Sequence, residues 1–398
     1  MKDYLQLLNR QLNALSVFRS ILDTPVVSAL QELIYAISEG SVDTQISACG
    51  AFSKALYEEG GILSDFVRRY ISNDENIFLR EKLSGREICP AMTESMQADL
   101  KTLQKLADLP ASKVAKVIDY DGFLPLWVTE PIDLESEYAA MLTSLSTKGY
   151  GIFANYRSFK VKDGRLVPVK HADSQTIDQL YGYSRERNQV LENTKALAEG
   201  CGASNVLLYG DAGTGKSSTI KACANACAAM GVRLIEFDKT QLSEIPALME
   251  QLVASPLKFI FYIDDLSFVE GDDAFSCLKG ILEGGVTGSS ANIAIYATSN
   301  RRHLVKESIE ARQGSGLHLN DTLQETMSLS ARFGLTITFS KPEKDLYLEI
   351  VASLANEYEL EMEEAELFKR AEAFAIRSNG RSPRTAKQFV QLAKIGLK

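Results

Sequence analysis

Leu5, Leu8, Leu12, Leu15 and Leu22 share one face of a helical repeat that Pro25 ends. Leu30, Leu33, Ile34 and Ile37 make a second stripe, closed by Gly40. Neither stripe lasts for the several heptads of a long coiled coil, so the pattern predicts a bundle of short helices. Between Asp74 and Pro90 the periodicity weakens, and it returns near Ser95 to Ala107 and Leu134 to Leu145. From Gly151 to His171 the period changes to two. Phe159 and Val161 alternate, Asp163-Gly164 offers a tight turn, and Leu166, Val167 and Val169 follow. A hairpin is expected there, closing a mainly helical N-terminal domain over residues 1–172.

Beyond residue 173 strand-like and helix-like stretches alternate. The candidate strands are Asn205 to Tyr209, Arg233 to Phe237, Phe259 to Ile263, Ile293 to Ala297 and Leu335 to Phe339. That spacing predicts an α/β domain, residues 173–340, with a parallel sheet between helices. Residues 341–398 carry no strand signal. Leu346, Ile350 and Leu354 form a helix stripe, and Ser382-Pro383 supplies a cap and first residue for a last helix, so a small helical lid is expected.

Composition adds bounds. A chain of 398 residues, 45% hydrophobic and 24% charged, has the make-up of an ordinary globular protein of two or three domains. No apolar run is long enough to span a membrane, and Met1-Lys2-Asp3-Tyr4 lacks the layout of a signal peptide, so a cytoplasmic location is expected. Cys49, Cys89, Cys201, Cys223, Cys227 and Cys277 form no C-x-x-C pair, and His171, His303 and His318 are the only histidines. Cys223 and Cys227, four apart on one expected helix, read as core packing rather than a metal site. A net charge of −9 argues against a broad nucleic-acid footprint.

The chemistry is concentrated in Gly210-Asp211-Ala212-Gly213-Thr214-Gly215-Lys216-Ser217, which matches G-x-x-x-x-G-K-[ST] directly after an apolar run and before the helix-forming stretch that starts at Ser218. Glycines allow a turn whose N–H groups face a bound phosphate, at the positive end of the following helix. Lys216 is expected to reach the β and γ phosphates, and Ser217 to ligate Mg²⁺. The apolar strand ending in Asp264-Asp265 offers one carboxylate for the Mg²⁺ shell, Asp264, and one to polarise water, Asp265. Ala297-Thr298-Ser299-Asn300 ends the next strand, where Asn300 would orient water; a plain strand-end turn is the simpler account. Arg332 could serve the γ-phosphate of a neighbouring subunit, although a lone arginine there is more often a surface ion-pair residue. Arg384, in the first turn of the last helix, points to an anionic partner, since cations ordinarily favour helix C-termini.

Together these features resemble an AAA+ ATPase over residues 173–398. The resemblance makes Gly210 to Ser217 Walker A, Asp264-Asp265 Walker B, Asn300 sensor 1, Arg332 the arginine finger and Arg384 sensor 2, with Gly182-Tyr183 beside adenine. It implies catalytic roles for Lys216, Asp265, Asn300, Arg332 and Arg384, and a nucleotide-binding set of Gly182, Tyr183 and Gly210 through Ser218. The strings Asp264 to Phe268, Ala297 to Leu304 and Ser328 to Gly334 resemble more closely a bacterial AAA+ family catalogued as domain of unknown function 815. The resemblance implies a five-stranded sheet in the order 5-1-4-3-2, ATP and Mg²⁺ as ligands, and a homo-oligomer in which Arg332 acts on the next subunit. This sequence departs from the pattern in two places: Asp265 stands where glutamate is usual, and Lys239 to Lys258 lacks an aromatic-then-glycine pore loop.

The leading expectation is therefore an ATPase that remodels a macromolecular partner held by the N-terminal helices. Alternatives are an ATP-gated scaffold with little hydrolysis, a helicase-loader-like ATPase using the basic cluster Arg301, Arg302, His303 and Lys306, and a small-molecule kinase. A solvated or interface cluster is the simpler account of those basic residues, so nucleic acid is not the favoured partner.

Overall fold

The first leucine stripe forms α1 (Lys2–Asn13), which stops well before Pro25. In this computed structural model, which describes residues 1–269, 273–283, 291–300, 305–306, 331–378 and 380–397, a buried carboxylate accounts for the stop. Asp99 accepts the backbone N–H groups of Ser16, Val17 and Phe18 at 3.0, 2.7 and 3.2 Å, and so satisfies donors that a continuing helix would have turned on its own carbonyls. Leu15 consequently lies beyond the helix, and Leu22 in a 3₁₀ turn (Arg19–Asp23). Thr24 then caps α2 (Pro25–Glu39) by accepting the Val27 N–H at 3.3 Å.

The bundle continues through α3 (Val42–Glu58), α4 (Leu63–Asn73), α5 (Ile77–Leu83), α6 (Pro90–Ala107), α7 (Ala111–Ala115), α8 (Leu134–Thr143), α9 (Leu145–Lys148) and α10 (Ile152–Asn155). These helices belong to one unit, Met1–Asn155. The leucine and isoleucine stripes share a core there with Phe52 and Trp127, whose rings meet edge-on at 4.7 Å.

The second unit, Tyr156–Lys398, holds all the strands: β1 (Ser158–Lys162), β2 (Arg165–Pro168), β3 (Val206–Gly210), β4 (Val232–Phe237), β5 (Lys258–Ile263), β6 (Phe268–Val269), β7 (Ile293–Ser299), β8 (Val305–Lys306) and β9 (Leu335–Phe339). Seven of them form one sheet in the order β2-β1-β4-β5-β7-β3-β9. The five expected strands therefore lie in the order 5-1-4-3-2, and all pair in parallel. Nearly every residue of β3, β4, β5 and β7 is buried, as a sheet covered on both faces requires.

The hairpin does not close the N-terminal domain. It widens this sheet: β1 pairs in parallel with β4, Phe159 opposite Ile235, while β2 pairs antiparallel outside it. Phe159 and Val161 are buried by that pairing, so the boundary expected after residue 172 falls at 155–156 instead. Among the described residues the α-helices of this unit are α11 (Ser184–Glu199), α12 (Lys216–Ala226), α13 (Ile245–Leu252), α14 (Asp273–Leu282), α15 (Lys344–Glu357), α16 (Glu364–Arg377) and α17 (Pro383–Lys394). The last three enclose their own core around Tyr347, Ile350, Leu354, Ala371 and Phe389, which is the expected helical lid. Cys223 and Cys227 are buried without a disulfide, and no cluster of three or more His, Cys, Asp or Glu suited to a metal occurs among the described residues. No helix among the described residues is long and apolar enough to cross a membrane.

Candidate functional site

The loop after β3 is tied to the end of β9. The Asp211 N–H donates to the Phe339 carbonyl at 3.0 Å, and the Asp211 carboxylate accepts the Lys341 N–H at 3.0 Å. Gly210, at φ 134°, passes so close to β9 that a Cβ would sit 2.1 Å from the Phe339 oxygen. Thr214, fully buried, donates to the Asp211 carbonyl at 2.8 Å and fixes the loop from within. Gly215, at φ 92°, makes the turn into α12 with open space where a side chain would be.

Lys216 therefore begins α12 with its amine folded back into the loop. Its Nζ donates to the Gly210 and Asp211 carbonyls at 2.9 and 2.8 Å and to Asn300 Oδ1 at 3.0 Å. Burial lowers its pKa, and Asp211, Asp265 and Asp264 pull against that shift. Asn300 Nδ2 in turn donates to Asp265 Oδ1 at 2.7 Å. Lys216, Asn300 and Asp265 thus form one hydrogen-bonded chain running from the end of β3 to the ends of β7 and β5. Asp265 sits in the left-handed region at φ 49°, and its N–H is held by Thr298 Oγ1 at 2.9 Å.

Asp264 faces the other way, toward α12. Ser217 Oγ donates to its Oδ1 at 2.8 Å and Thr298 Oγ1 at 2.5 Å. Burial works against its charge, but the hydrogen bonds from Thr298 and Ser217 and the nearby Tyr262 hydroxyl outweigh it, so its pKa falls below the usual aspartate value. The Tyr262 hydroxyl is itself buried beside these groups, with no hydrogen-bond partner of good geometry among the described residues.

A cavity of about 470 Å³ opens beside Gly213, Gly215 and Ser218. Its other walls come from residues 173–187, including Leu180, Tyr181 and Arg187, and from the lid, including Ile350, Leu354, Pro383, Arg384 and Lys387. Such a volume lies within the ~300–1,000 Å³ of small-molecule sites. The lid reaches the loop directly: the Arg384 N–H donates to the Gly213 carbonyl at 3.2 Å, and Ser382 caps α17 by accepting the Thr385 N–H at 3.1 Å.

Gly182 and Tyr183 do not line this cavity. Both turn through positive φ; Gly182 packs under Ile350, while Tyr183 is buried against Phe339 and donates its hydroxyl to the Ser340 carbonyl at 2.6 Å. Leu180 and Tyr181 occupy the wall in their place, because Arg187 holds both of their carbonyls, that of Tyr181 at 2.5 Å. Burial pushes the pKa of Arg187 down to about 10, against the opposing pull of Cys223, Tyr183 and Glu186, and its Nε has no hydrogen-bond partner among the described residues.

Arg332 is ion-paired within its own chain, Nε to Glu283 Oε1 at 2.8 Å. Arg301, Arg302, His303, His318 and Ser328 to Ser330 lie outside the described residues, and of Lys306 only the backbone of β8 is described. Ala212 is exposed.

Three contributors escaped the sequence reading. Thr298 had a signal, since it follows the residue paired with Ile263 and so stands level with Asp264. Arg187 also had one, because it falls on the buried stripe of α11 with Val190, Thr194 and Leu197, where a charge demands an explanation. Tyr262 had none, being one more apolar position of a buried strand.

A phosphate loop between β3 and α12, carboxylates after β5, an amide after β7, a 5-1-4-3-2 parallel order and a helical lid define an AAA+ phosphate-loop NTPase fold. The chain belongs to the family described as protein of unknown function (DUF815), whose model matches residues 152–395. Among solved structures it is similar to the Thermotoga maritima RuvB Holliday junction branch migration motor, with 14% identity over 56% of this chain and 66% of that one, just under two thirds, at a TM-score of 0.38. It is also similar to the FIGL-1 AAA domain in complex with ADP, with 14% identity over 57% and 75% of the two chains at a TM-score of 0.39. No curated protein matches it.

Proposed function

We propose that this protein is a Mg-ATP-dependent ATPase that acts as a homo-oligomer and couples nucleotide turnover to remodelling of a macromolecular partner bound by its N-terminal unit. The observation that carries the proposal is the chain Lys216–Asn300–Asp265 beside the pair Ser217–Asp264, with all its contacts between 2.7 and 3.0 Å.

The residues fit a nucleotide and its metal. Ser217 and Asp264 supply one hydroxyl and one charged carboxylate, with the unpartnered Tyr262 hydroxyl beside them. A donor set that small suits Mg²⁺, which keeps phosphate and water ligands rather than a full protein cage. Bound there, the ion would neutralise charge developing on the phosphates. Lys216 would exchange its loop carbonyls for phosphate oxygens, and loop N–H groups at the start of α12 would cradle them. Asp265 would take a proton from the attacking water that Asn300 orients. Arg384 would add positive charge from the lid, and Arg332 would leave Glu283 to serve the next subunit. Residues of the 173–187 wall and the lid would enclose the base, with Leu180 and Tyr181 in the place first expected of Gly182 and Tyr183.

Phosphate release from ATP by the full chain tests this reading. Lys216→Ala is expected to lose nucleotide binding, whereas Asp265→Asn keeps binding and loses about 100-fold or more in turnover. Equal turnover by Lys216→Ala would sink the proposal. A second reading, an ATP-gated scaffold with little hydrolysis, is favoured by one observation: the short Asp265 carboxylate is already engaged by Asn300 at 2.7 Å. Tight ATP binding without measurable turnover, alone or with partner, would select it.

A further inference from the structure

The N-terminal unit carries an apolar strip that its own core does not use. Between α7 and α8 the chain runs extended, and Leu124 and Trp127 turn inward while Phe123, Leu126 and Val128 stand 87%, 50% and 56% exposed. Tyr57, also exposed, adjoins them and donates its hydroxyl to the Leu126 carbonyl at 2.8 Å.

The strip is held firmly. Ser53 donates to the Pro125 carbonyl at 3.2 Å, the Trp127 indole N–H to the Leu109 carbonyl at 2.9 Å, and the Glu130 N–H to Ser64 at 2.8 Å. Val128 bridges to Ile62 through bonds of 3.2 and 2.9 Å with Gly61 and Leu63. An apolar patch fixed in an exposed position, with aromatic residues in it, has the composition of an interface centre.

Charge selects the partner. Residues 113–148 contain six Asp or Glu and three Lys. Glu130 and Glu137 act on Arg68, and Asp133 and Glu135 share a groove with Lys101 and Lys105, so the acidic character of the strip rests on Asp119 and Asp121. Glu58 and Glu59, next to Tyr57, are balanced by Lys54 and Arg69. Asp119 and Asp121 are exposed, and no cation is ion-paired with either among the described residues. Over residues 1–155 there are 14 Lys or Arg against 21 Asp or Glu. A nucleic acid or an anionic membrane would be repelled here, and a second copy would bring acidic face to acidic face.

We propose that residues 119–130, with Tyr57, form the docking strip for a partner polypeptide segment that alternates basic with large apolar side chains. The inference rests on the reading that the N-terminal unit binds the partner, and it names the surface and the chemistry.

Short fluorescent peptides test it against the full chain, by anisotropy at physiological salt. One peptide alternates Lys or Arg with Leu or Phe, one replaces the basic residues with Glu, and one replaces the apolar residues with Ser. The first is expected to bind at least ~10-fold more tightly than either control. Phe123→Ser with Leu126→Ser should weaken that binding ~10-fold without moving the urea midpoint, since both side chains lie outside the core. Asp119→Lys with Asp121→Lys should shift preference toward the Glu peptide. Equal affinity for all three peptides, binding indifferent to these variants, or stronger competition by anionic vesicles or single-stranded DNA would overturn the proposal. So would loss of the oligomer on Phe123→Ser with Leu126→Ser, which would assign the strip to a second copy. Lys216→Ala separates the two readings: peptide binding that persists in it upholds the strip whether or not the wild type hydrolyses ATP.

Discussion

Asn300 joins two parts of the site that sequence motifs treat separately. Its Oδ1 accepts a hydrogen bond from Lys216 Nζ and its Nδ2 donates one to Asp265 Oδ1, so one side chain bridges the lysine of the loop and the carboxylate after β5. Its place was legible because it ends a strand next to the one that carries Asp264 and Asp265. Arg187 was not, since its role depends on a loop folding back over α11. Replacing it by Met should free the Leu180 and Tyr181 carbonyls and loosen the cavity wall. ATP affinity measured by calorimetry is expected to fall ~10-fold, while affinity for inorganic triphosphate stays within about twofold, and Arg187→Lys recovers part of the loss. Equal losses for both ligands would mean general misfolding and remove Arg187 from the base-side wall.

At the scale of elements, patterns confined to a few residues were readable and pairings across the chain were not. The five parallel strands follow from their apolar runs, and each forms within two residues of its expected bounds. The end of α1 depends on Asp99, more than eighty residues away, and no periodicity near Leu15 foretells it. The hairpin itself follows from Asp163-Gly164, whereas its docking on β4 is a long-range choice driven by burial of Phe159 and Val161. The two ends of the phosphate loop should differ sharply on substitution. Gly210→Ala places a methyl against a backbone oxygen that cannot give way without parting β3 from β9, so a loss of roughly 3 kcal/mol or more and of nucleotide binding is expected in urea and binding titrations. Gly215→Ala meets open space and carries only the strain of its φ, about 1 kcal/mol. Similar losses at both positions would contradict the close approach of β3 and β9.

For the molecule as a whole, the negative charge is unevenly shared. The first 155 residues hold 14 basic and 21 acidic groups, the remaining chain 29 and 31. The part with the phosphate loop is therefore near neutral, and the part with the exposed strip is acidic. In the proposed assembly Arg332 would link chemistry to the neighbouring subunit. Glu283 pairs with it inside one chain, so its proposed work on a neighbour requires that pair to open. Arg332→Ala should leave ATP affinity within about threefold and lower turnover by ~10³. Mixing Arg332→Ala with Lys216→Ala subunits should restore measurable hydrolysis, because each lacks a different half of a shared site. No recovery on mixing would mean that Arg332 does not act between subunits.

The widened sheet has a mechanical meaning as well. Only Tyr156 and Arg157 separate the last helix of the N-terminal unit from β1, and the Arg157 carbonyl is already taken by the Leu234 N–H at 3.0 Å. A tether that short stores no slack. Any load carried along the chain into Ser158 would meet the hydrogen bonds of β1 to β4 within two residues of the boundary.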